Sequence, residues 1–488
     1  MPIINIVGLE FAYDGGEALF SNVSLQIDTA WKLGLIGRNG RGKTTLLNLL
    51  LGTLPFDGVV EVPVPLGFFP YKINDQNRNT LDIANEIALF EQWQLERELS
   101  LLDVSDEVLT RSFATLSGGE QTKILLATLF LNDRHFLLID EPTNHLDLEG
   151  KRVVGHYLSG KSGFILVSHD RALLDRSVDH ILCINRGGIE LTHGNFSTWQ
   201  LNRRYQEQFE STENQRLKKD IERLKDNARR TSDWSKRTEK EKYGHGRVDR
   251  GFIGSKAAKL MKRSKSSQNR QQKAIEQKQQ LFKNSEVTDQ LSLTPLQFHS
   301  SRLLDLEEVT VQYTGTPLFV PVTFSVNTGD RIAFCGRNGC GKSSLLKLIA
   351  GQKVPYEGRF RIPASLKCSF IPQDASFLNG NMKDFAVQRQ IDEPLLKAIL
   401  HKLGFSKQNY EQEMAELSAG QKKKVLLAAS LCEQAHLYLW DEPLNYIDVI
   451  SRTQIENVLL DYQPTLIVVE HDEMFLENIA TKKINLSV

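Results

Sequence analysis

The chain repeats itself in a fixed register. "GRNGRGKT" (Gly37–Thr44) returns as "GRNGCGKS" (Gly336–Ser343), "LSGGEQ" as "LSAGQK", "LLIDEPTNHLD" as "LYLWDEPLNYID" and "LVSHD" as "VVEHD". The spacing between copies hardly drifts: Lys43 to Lys342 is 299 residues, Asp140 to Asp441 is 301 and His169 to His471 is 302. Motifs in one order at a near-constant offset predict two homologous domains, over residues 1–200 and 293–488, with a segment 201–292 between them. The 488 residues, 40% of them apolar, are ample for several ordinary cores.

Each copy has a mechanical reading. "WKLGLIG" and "DRIAFCG" predict buried strands that end on a glycine loop opening a helix, the P-loop pattern GxxxxGK[ST]. Gly37, Gly40 and Gly42, with Gly336, Gly339 and Gly341, let backbone N–H groups wrap phosphates at a helix N-terminus. Asn39, Thr45, Asn338 and Ser344 belong to the same loops. Lys43 and Lys342 are expected to reach the β- and γ-phosphates of ATP, while Thr44 and Ser343 hold Mg²⁺. Each later apolar run ends in Asp-Glu. Asp140 and Asp441 are expected behind the metal, and Glu141 and Glu442 as general bases for the attacking water. The fold class expected is α/β: two P-loop domains joined by a long antiparallel helical hairpin.

Composition narrows the class. The five cysteines are scattered with no Cys-x-x-Cys pair, which argues against a disulfide scaffold and a zinc site and fits a reducing compartment. No apolar run approaches the roughly 20 residues of a membrane helix, and the N-terminus has no basic leader. A soluble, cytoplasmic protein is expected.

Zero net charge conceals a strong polarity. Between Leu201 and Lys283 there are 24 Lys/Arg against 11 Asp/Glu, and Arg229–Lys273 alone holds 15 against 4. From about Phe196 to Lys240 the pattern is helical, with Leu217, Ile221, Leu224 and Ala228 on one stripe. A second helix fits 255–283, and glycines between the two predict a loop at about 241–255. Two such helices would extend roughly 60 Å. The tip carries Tyr243, Arg247, Arg250, the Phe252-Ile253 pair and Lys256, followed by Lys262, Arg263 and Lys265. Cations interleaved with aromatics suit RNA, whose unpaired bases stack on rings and guanidinium planes. A solvated coiled coil spacing the two domains, with the tip folded back on it, is the plainer alternative.

These residues resemble the ATP-binding cassette (ABC) family across both repeats. The resemblance makes LSGGE and LSAGQ the signature motifs, His169 and His471 the catalytic switch histidines, and Tyr13 and Tyr313 the aromatics that stack on adenine. It also implies head-to-tail pairing of the cassettes. Ser117, Gly118 and Gly119 would then serve the nucleotide on Lys342, and Ser418 and Gly420 the one on Lys43. Gln373 matches the glutamine that contacts Mg²⁺; Tyr71 stands at that place in the first cassette, and Ala419 replaces a signature glycine in the second. Both departures fall on the Lys43 site.

Tandem cassettes, a basic linker and the lack of a membrane segment resemble the ABC-F family of ribosome-associated ATPases. The resemblance implies a monomer with intramolecular cassette pairing and no membrane subunit. It implies entry at the ribosomal E site, with the linker directed to 23S rRNA, the P-site tRNA and the peptidyl-transferase centre. Lys43 to Ser117 is 74 residues and Lys342 to Ser418 is 76, which leaves no room for the arm of the housekeeping members. The chain looks most like the Lsa/Vga-type members, which protect ribosomes from lincosamides, streptogramin A and pleuromutilins. A housekeeping factor for stalled ribosomes remains open, as does a transporter subunit. A DNA-repair ATPase would carry longer coils and often a Cys-x-x-Cys hook.

The clustered departures predict unequal sites. Glu442→Gln should lower steady-state ATP turnover more than Glu141→Gln; equal losses would make Tyr71 and Ala419 silent.

Overall fold

Apolar runs without alternation, such as "FLLI", "FILV", "LYLW" and "LIVV", are the pattern of strands covered on both faces. In the computed structural model they form the centres of two parallel sheets. The structure describes residues 2–13, 15, 18–132, 134–144, 146–185, 188–241, 291–313, 315–337 and 339–486. Two units are distinguished, Met1–Trp199 with Gln290–Val488, and Gln200–Asp289.

The first cassette contains β1 (Ile3–Ala12), β2 (Ala18–Asp28), β3 (Lys32–Gly37), β4 (Asp57–Glu61), β5 (Leu66–Phe69), β6 (Phe136–Asp140), β7 (Phe164–Val167), β8 (His180–Asn185) and β9 (Gly188–His193). Its main sheet has the order β5-β6-β7-β3-β8-β9, parallel except for the β8–β9 pair, and a second, antiparallel sheet β2-β1-β4 shares a core with it. The second cassette contains β10 (Arg302–Val311), β11 (Val322–Asn327), β12 (Arg331–Cys335), β13 (Tyr356–Arg361), β14 (Cys368–Ile371), β15 (Leu437–Asp441), β16 (Leu466–Val469) and β17 (Lys482–Asn485). Here the parallel order is β14-β15-β16-β12-β17, with β11-β10-β13 as the antiparallel sheet.

Register decides where the chemistry emerges. Val167 pairs with both Leu35 and Asp140, and Val469 with Asp441, so the P-loop, the Asp-Glu pair and the histidine leave each sheet at one edge. The carboxyl edge of a parallel sheet is where such folds bind ligands.

The helix Lys43–Leu50 buries Leu46 and Leu47 in a core with Ile4, Leu35 and Leu138; Leu345 and Leu346 of Lys342–Ile349 repeat this. Gly42 precedes the first helix at φ 91°, and a Cβ there would stand 2.7 Å from a Leu19 methyl, so only glycine closes the turn. On the other face the helices Thr80–Ile87, Gln92–Leu101 and Gly118–Phe130 share a core with Ile36, Phe113 and Ile139. Val449, from the second cassette, is buried in that same first-cassette core.

One helix of 46 residues spans Phe196–Glu241, close to the range expected. Phe196 and Trp199 root it in the first cassette's core, and Ile221 on the expected stripe is buried. The second linker helix and the tip residues Tyr243, Arg247, Arg250, Phe252, Ile253, Lys256, Lys262, Arg263 and Lys265 lie outside the described residues. No helix among the described residues is long and apolar enough to cross a membrane.

Candidate functional site

Both P-loops curl around their own lysine. Lys43 Nζ donates to Gly37 O at 2.8 Å and Asn39 Oδ1 at 3.2 Å; Lys342 Nζ donates to Gly336 O at 2.8 Å and Arg337 O at 2.9 Å. The following hydroxyls meet the carboxylates at the strand ends: Thr44 Oγ1 donates to Asp140 Oδ2 at 2.9 Å, and Ser343 Oγ to Asp441 Oδ1 at 3.1 Å. The Tyr13 hydroxyl lies 2.9 Å from Thr45 Oγ1, and the Tyr313 hydroxyl donates to Ser344 Oγ at 3.1 Å. Both tyrosines are more than half exposed, at 54% and 56%, and the Tyr13 ring meets Phe11 edge-to-face at 4.9 Å.

Glu141 and Glu442 share an uncommon backbone. Their φ values are 51° and 48°, a left-handed conformation that costs roughly 1–3 kcal/mol and persists where the surroundings enforce it. Here the next strand enforces it, because the glutamate N–H groups donate to Val167 O and Val469 O at 2.9 Å. The side chains are turned towards the histidines: His169 Nε2 is 3.3 Å from Glu141 Oε1, and His471 Nε2 is 3.5 Å from Glu442 Oε1.

Their electrostatics differ. Burial, with Asp140 alongside, pushes Glu141 up to about 7 against the pull of Lys43 and Arg452. Burial also holds His169 well below its usual value, and Lys43, Arg452 and Lys424 add to this. Burial acts on Glu442 as well, but hydrogen bonding and charge from His471, a hydrogen bond from Gln373 and the charge of Lys423 outweigh it. Glu442 therefore lies below the ordinary carboxylate range. The two glutamates are thus shifted in opposite directions, Glu141 towards its neutral form and Glu442 towards its ionised one.

Asp441 is pushed up to about 6 by burial, and its Oδ2 is buried without a hydrogen-bond partner. A metal-bound water would supply that partner. The oxygens of Ser343 and Asp441, and of Thr44 and Asp140, suit Mg²⁺, which binds through few carboxylates and keeps waters and phosphate oxygens.

Each signature opens a capped helix. Ser117 accepts from Glu120 N at 3.2 Å while its own N–H donates to the Glu120 carboxylate at 2.7 Å; Ser418 and Gln421 repeat the box at 3.3 and 2.8 Å. Gly118 borders the same cleft, about 1050 Å³, as Tyr313, Lys342, Ser343, Gln373 and Glu442. The first signature and second P-loop therefore share a cavity, with Ser117 and Gly119 flanking Gly118.

The converse pairing differs. A pocket of about 380 Å³ around Lys43 is lined by first-cassette residues, including Tyr13, Thr44, Asp140, Glu141 and His169. Ser418 and Gly420 are not brought into it. Tyr446 lies against Gly420, where a Cβ would meet it at 2.9 Å, and its carbonyl accepts from Asn39 Nδ2 at 2.7 Å. Asp448 Oδ2 also accepts from Asn39 N at 3.4 Å. Asn338 lies outside the described residues.

Sequence reasoning missed Lys423. It is 3% exposed and donates to Pro372 O at 2.9 Å, Gln373 O at 3.1 Å and Asp441 O at 2.9 Å, tying the glutamine loop to β15. The first cassette has Thr122 at that place, and only the difference between the aligned repeats could have flagged the lysine. Lys423→Met would strand three carbonyls at about 1–3 kcal/mol each before relaxation. It should lower the unfolding temperature and also the turnover dependent on Glu442, as calorimetry and an ATPase assay would show.

A family model described as "ABC transporter" matches residues 20–144 and 319–445. The chain is 28% identical over 490 residues to the ribosome protection protein VmlR of Bacillus subtilis (strain 168), covering 96% of this chain and 84% of that protein. It is 25% identical over 535 residues to the energy-dependent translational throttle protein EttA of Mycobacterium tuberculosis (strain CDC 1551 / Oshkosh), covering 96% and 88%. A solved complex of the archaeal ribosomal stalk protein aP1 and the archaeal ribosome recycling factor aABCE1 matches with TM-score 0.62 at 18% identity. That match covers 98% of this chain and 86% of the other, a likeness of fold.

Proposed function

Since the chain belongs to the ABC transporter family, as a tandem-cassette ATP hydrolase of its ABC-F branch, we propose that it turns over ATP on the ribosome. The observation that carries this reading is the basic segment set between two P-loop domains, 24 cations against 11 acids over Leu201–Lys283. Counter-ion release from RNA phosphates rewards such a surface. The likeness to VmlR runs through 96% of the chain and so includes this segment.

At each site the P-loop amides and Lys43 or Lys342 bind the triphosphate, and Tyr13 or Tyr313 stacks on adenine. Thr44 with Asp140, and Ser343 with Asp441 and Gln373, would hold Mg²⁺, which would supply charge neutralisation at the β- and γ-phosphates. Glu442 takes a proton from the attacking water, with His471 orienting Oε1; Glu141 and His169 do the same more weakly. Gly118 at the first signature closes the Lys342 site from the other cassette. The protein acts as a cytoplasmic monomer with no membrane subunit.

The finer reading is ribosome protection. The linker enters through the E site, passes along 23S rRNA and the P-site tRNA, and brings Phe252 and Ile253 to the peptidyl-transferase centre. There it displaces lincosamide, streptogramin A or pleuromutilin drugs. The name of VmlR supports this reading, and the name of EttA supports a second one, a translation factor for stalled ribosomes. A drug-susceptibility panel on a sensitive bacterium expressing the chain separates them: raised inhibitory concentrations for these drugs are expected, and an unchanged panel leaves the translation factor.

Glu141→Gln/Glu442→Gln should bind ATP, stop hydrolysing it and co-sediment with ribosomes; wild-type turnover would remove these glutamates from catalysis. Neutralising Lys262, Arg263 and Lys265 should weaken ribosome binding and flatten its log–log salt slope by roughly 0.7–0.9 per lost contact. Phe252→Ala should leave that slope and the ATPase rate intact while protection falls.

A further inference from the structure

The cassettes meet across buried charge that the chemistry above leaves unused. Arg171, 2% exposed and two residues past His169, reaches from the first cassette into the second. Its Nη1 is 2.6 Å from Glu456 Oε2, and its Nη2 is 3.5 Å from Asp472 Oδ1. Asp472, 1% exposed, directly follows His471. It caps the helix Glu473–Ile479 by accepting from Phe475 N at 2.9 Å, and its other oxygen accepts from Arg452 Nη1 at 3.2 Å.

Arg452 continues the line. Its Nε donates to Ile447 O at 2.9 Å and its Nη2 to Leu444 O at 3.0 Å, which pins both ends of the loop after β15. Inside that loop Asn445 Nδ2 donates to Glu442 Oε2 at 2.6 Å. Hydrogen bonds and ion pairs therefore run from the first cassette to the base of the Lys342 site.

In the opposite direction no equivalent line of buried hydrogen bonds is found among the described residues, although the charge of Arg452 also acts on Glu141 and His169. Glu473 occupies the place of Arg171 in the second repeat, and its partner Arg152 is 55% exposed, where an ion pair contributes little. Lys151 occupies the place of Arg452; it pairs with Asp170 at 3.3 Å and donates to His471 O at 3.2 Å, so it too bears on the second cassette.

We propose that Arg171 is a positioning residue for the Lys342 site. By fixing Asp472 it sets His471, and through Arg452 it sets the loop that aims Glu442, so hydrolysis there requires the first cassette to be docked. The inference depends on ATP hydrolysis and not on the ribosome reading.

The test uses the full chain in two backgrounds, Glu141→Gln, which leaves the Lys342 site active, and Glu442→Gln, which leaves the Lys43 site. Arg171→Met should lower kcat about tenfold in the first background with KM within about twofold, and change kcat less than about twofold in the second. Arg171→Lys should recover part of the loss. Asp472→Asn, which keeps the helix cap and the shape but not the charge, should reproduce the selective loss without an arginine being removed. Equal losses in both backgrounds, or no loss from either variant, would overturn the proposal, since a merely weakened interface has no reason to prefer one site.

Discussion

An ammonium group withdrawn from water is the constraint on which each half of this protein depends. Lys43 and Lys342 are 9% and 7% exposed, and an unpaired buried cation would be untenable. The P-loop meets that demand with inward-turned carbonyls, which fixes the curl of the loop. The curl requires glycine before the helix, and the parallel sheet must deliver loop and carboxylates to one edge. For Lys43, burial works against the charged form, and Asp448, Glu141 and Asp140 work for it. Asp448 belongs to the other cassette, so the electrostatics of one site already include its neighbour.

Two sites with the same backbone need not have the same chemistry. Glu141 and Glu442 occupy equivalent strained positions, yet the first is shifted up and the second down from the ordinary carboxylate range. The difference arises around them: burial and the charge of Asp140 raise Glu141, whereas His471 first, and then Gln373 and Lys423, outweigh burial at Glu442. Gln373 and Lys423 stand where the first cassette has Tyr71 and Thr122. The unequal signature pairing acts in the same direction, since Gly118 reaches the Lys342 cleft while Tyr446 occupies the face of Gly420.

Much of this was legible from contiguous residues. P-loops and strand ends are local, so their motifs carried them, the signatures and histidines came with the family resemblance, and the first linker helix followed from its stripe. What escaped was non-local. Arg171 and Asp472 are 301 positions apart, Lys151 and His471 are 320 apart, and nothing in the periodicity of either segment announces the contact. Lys423 sits in a run of three lysines that reads as a solvated helix face, yet it is buried because a loop 50 residues away folds over it. The head-to-tail rule supplied the partner of Lys342, but not the side chain lying against Gly420.

The opposite charges at equivalent positions bear on self-recognition. In the first repeat Gly155 stands where the second has Glu456, and in the second Thr453 stands where the first has Arg152. Two first cassettes brought face to face would leave Arg171 without its glutamate, and two second cassettes would leave Glu473 without its arginine. Each half is complementary to the other and a poor match for itself. The pairing of unlike cassettes is thus written into the charges at their contact.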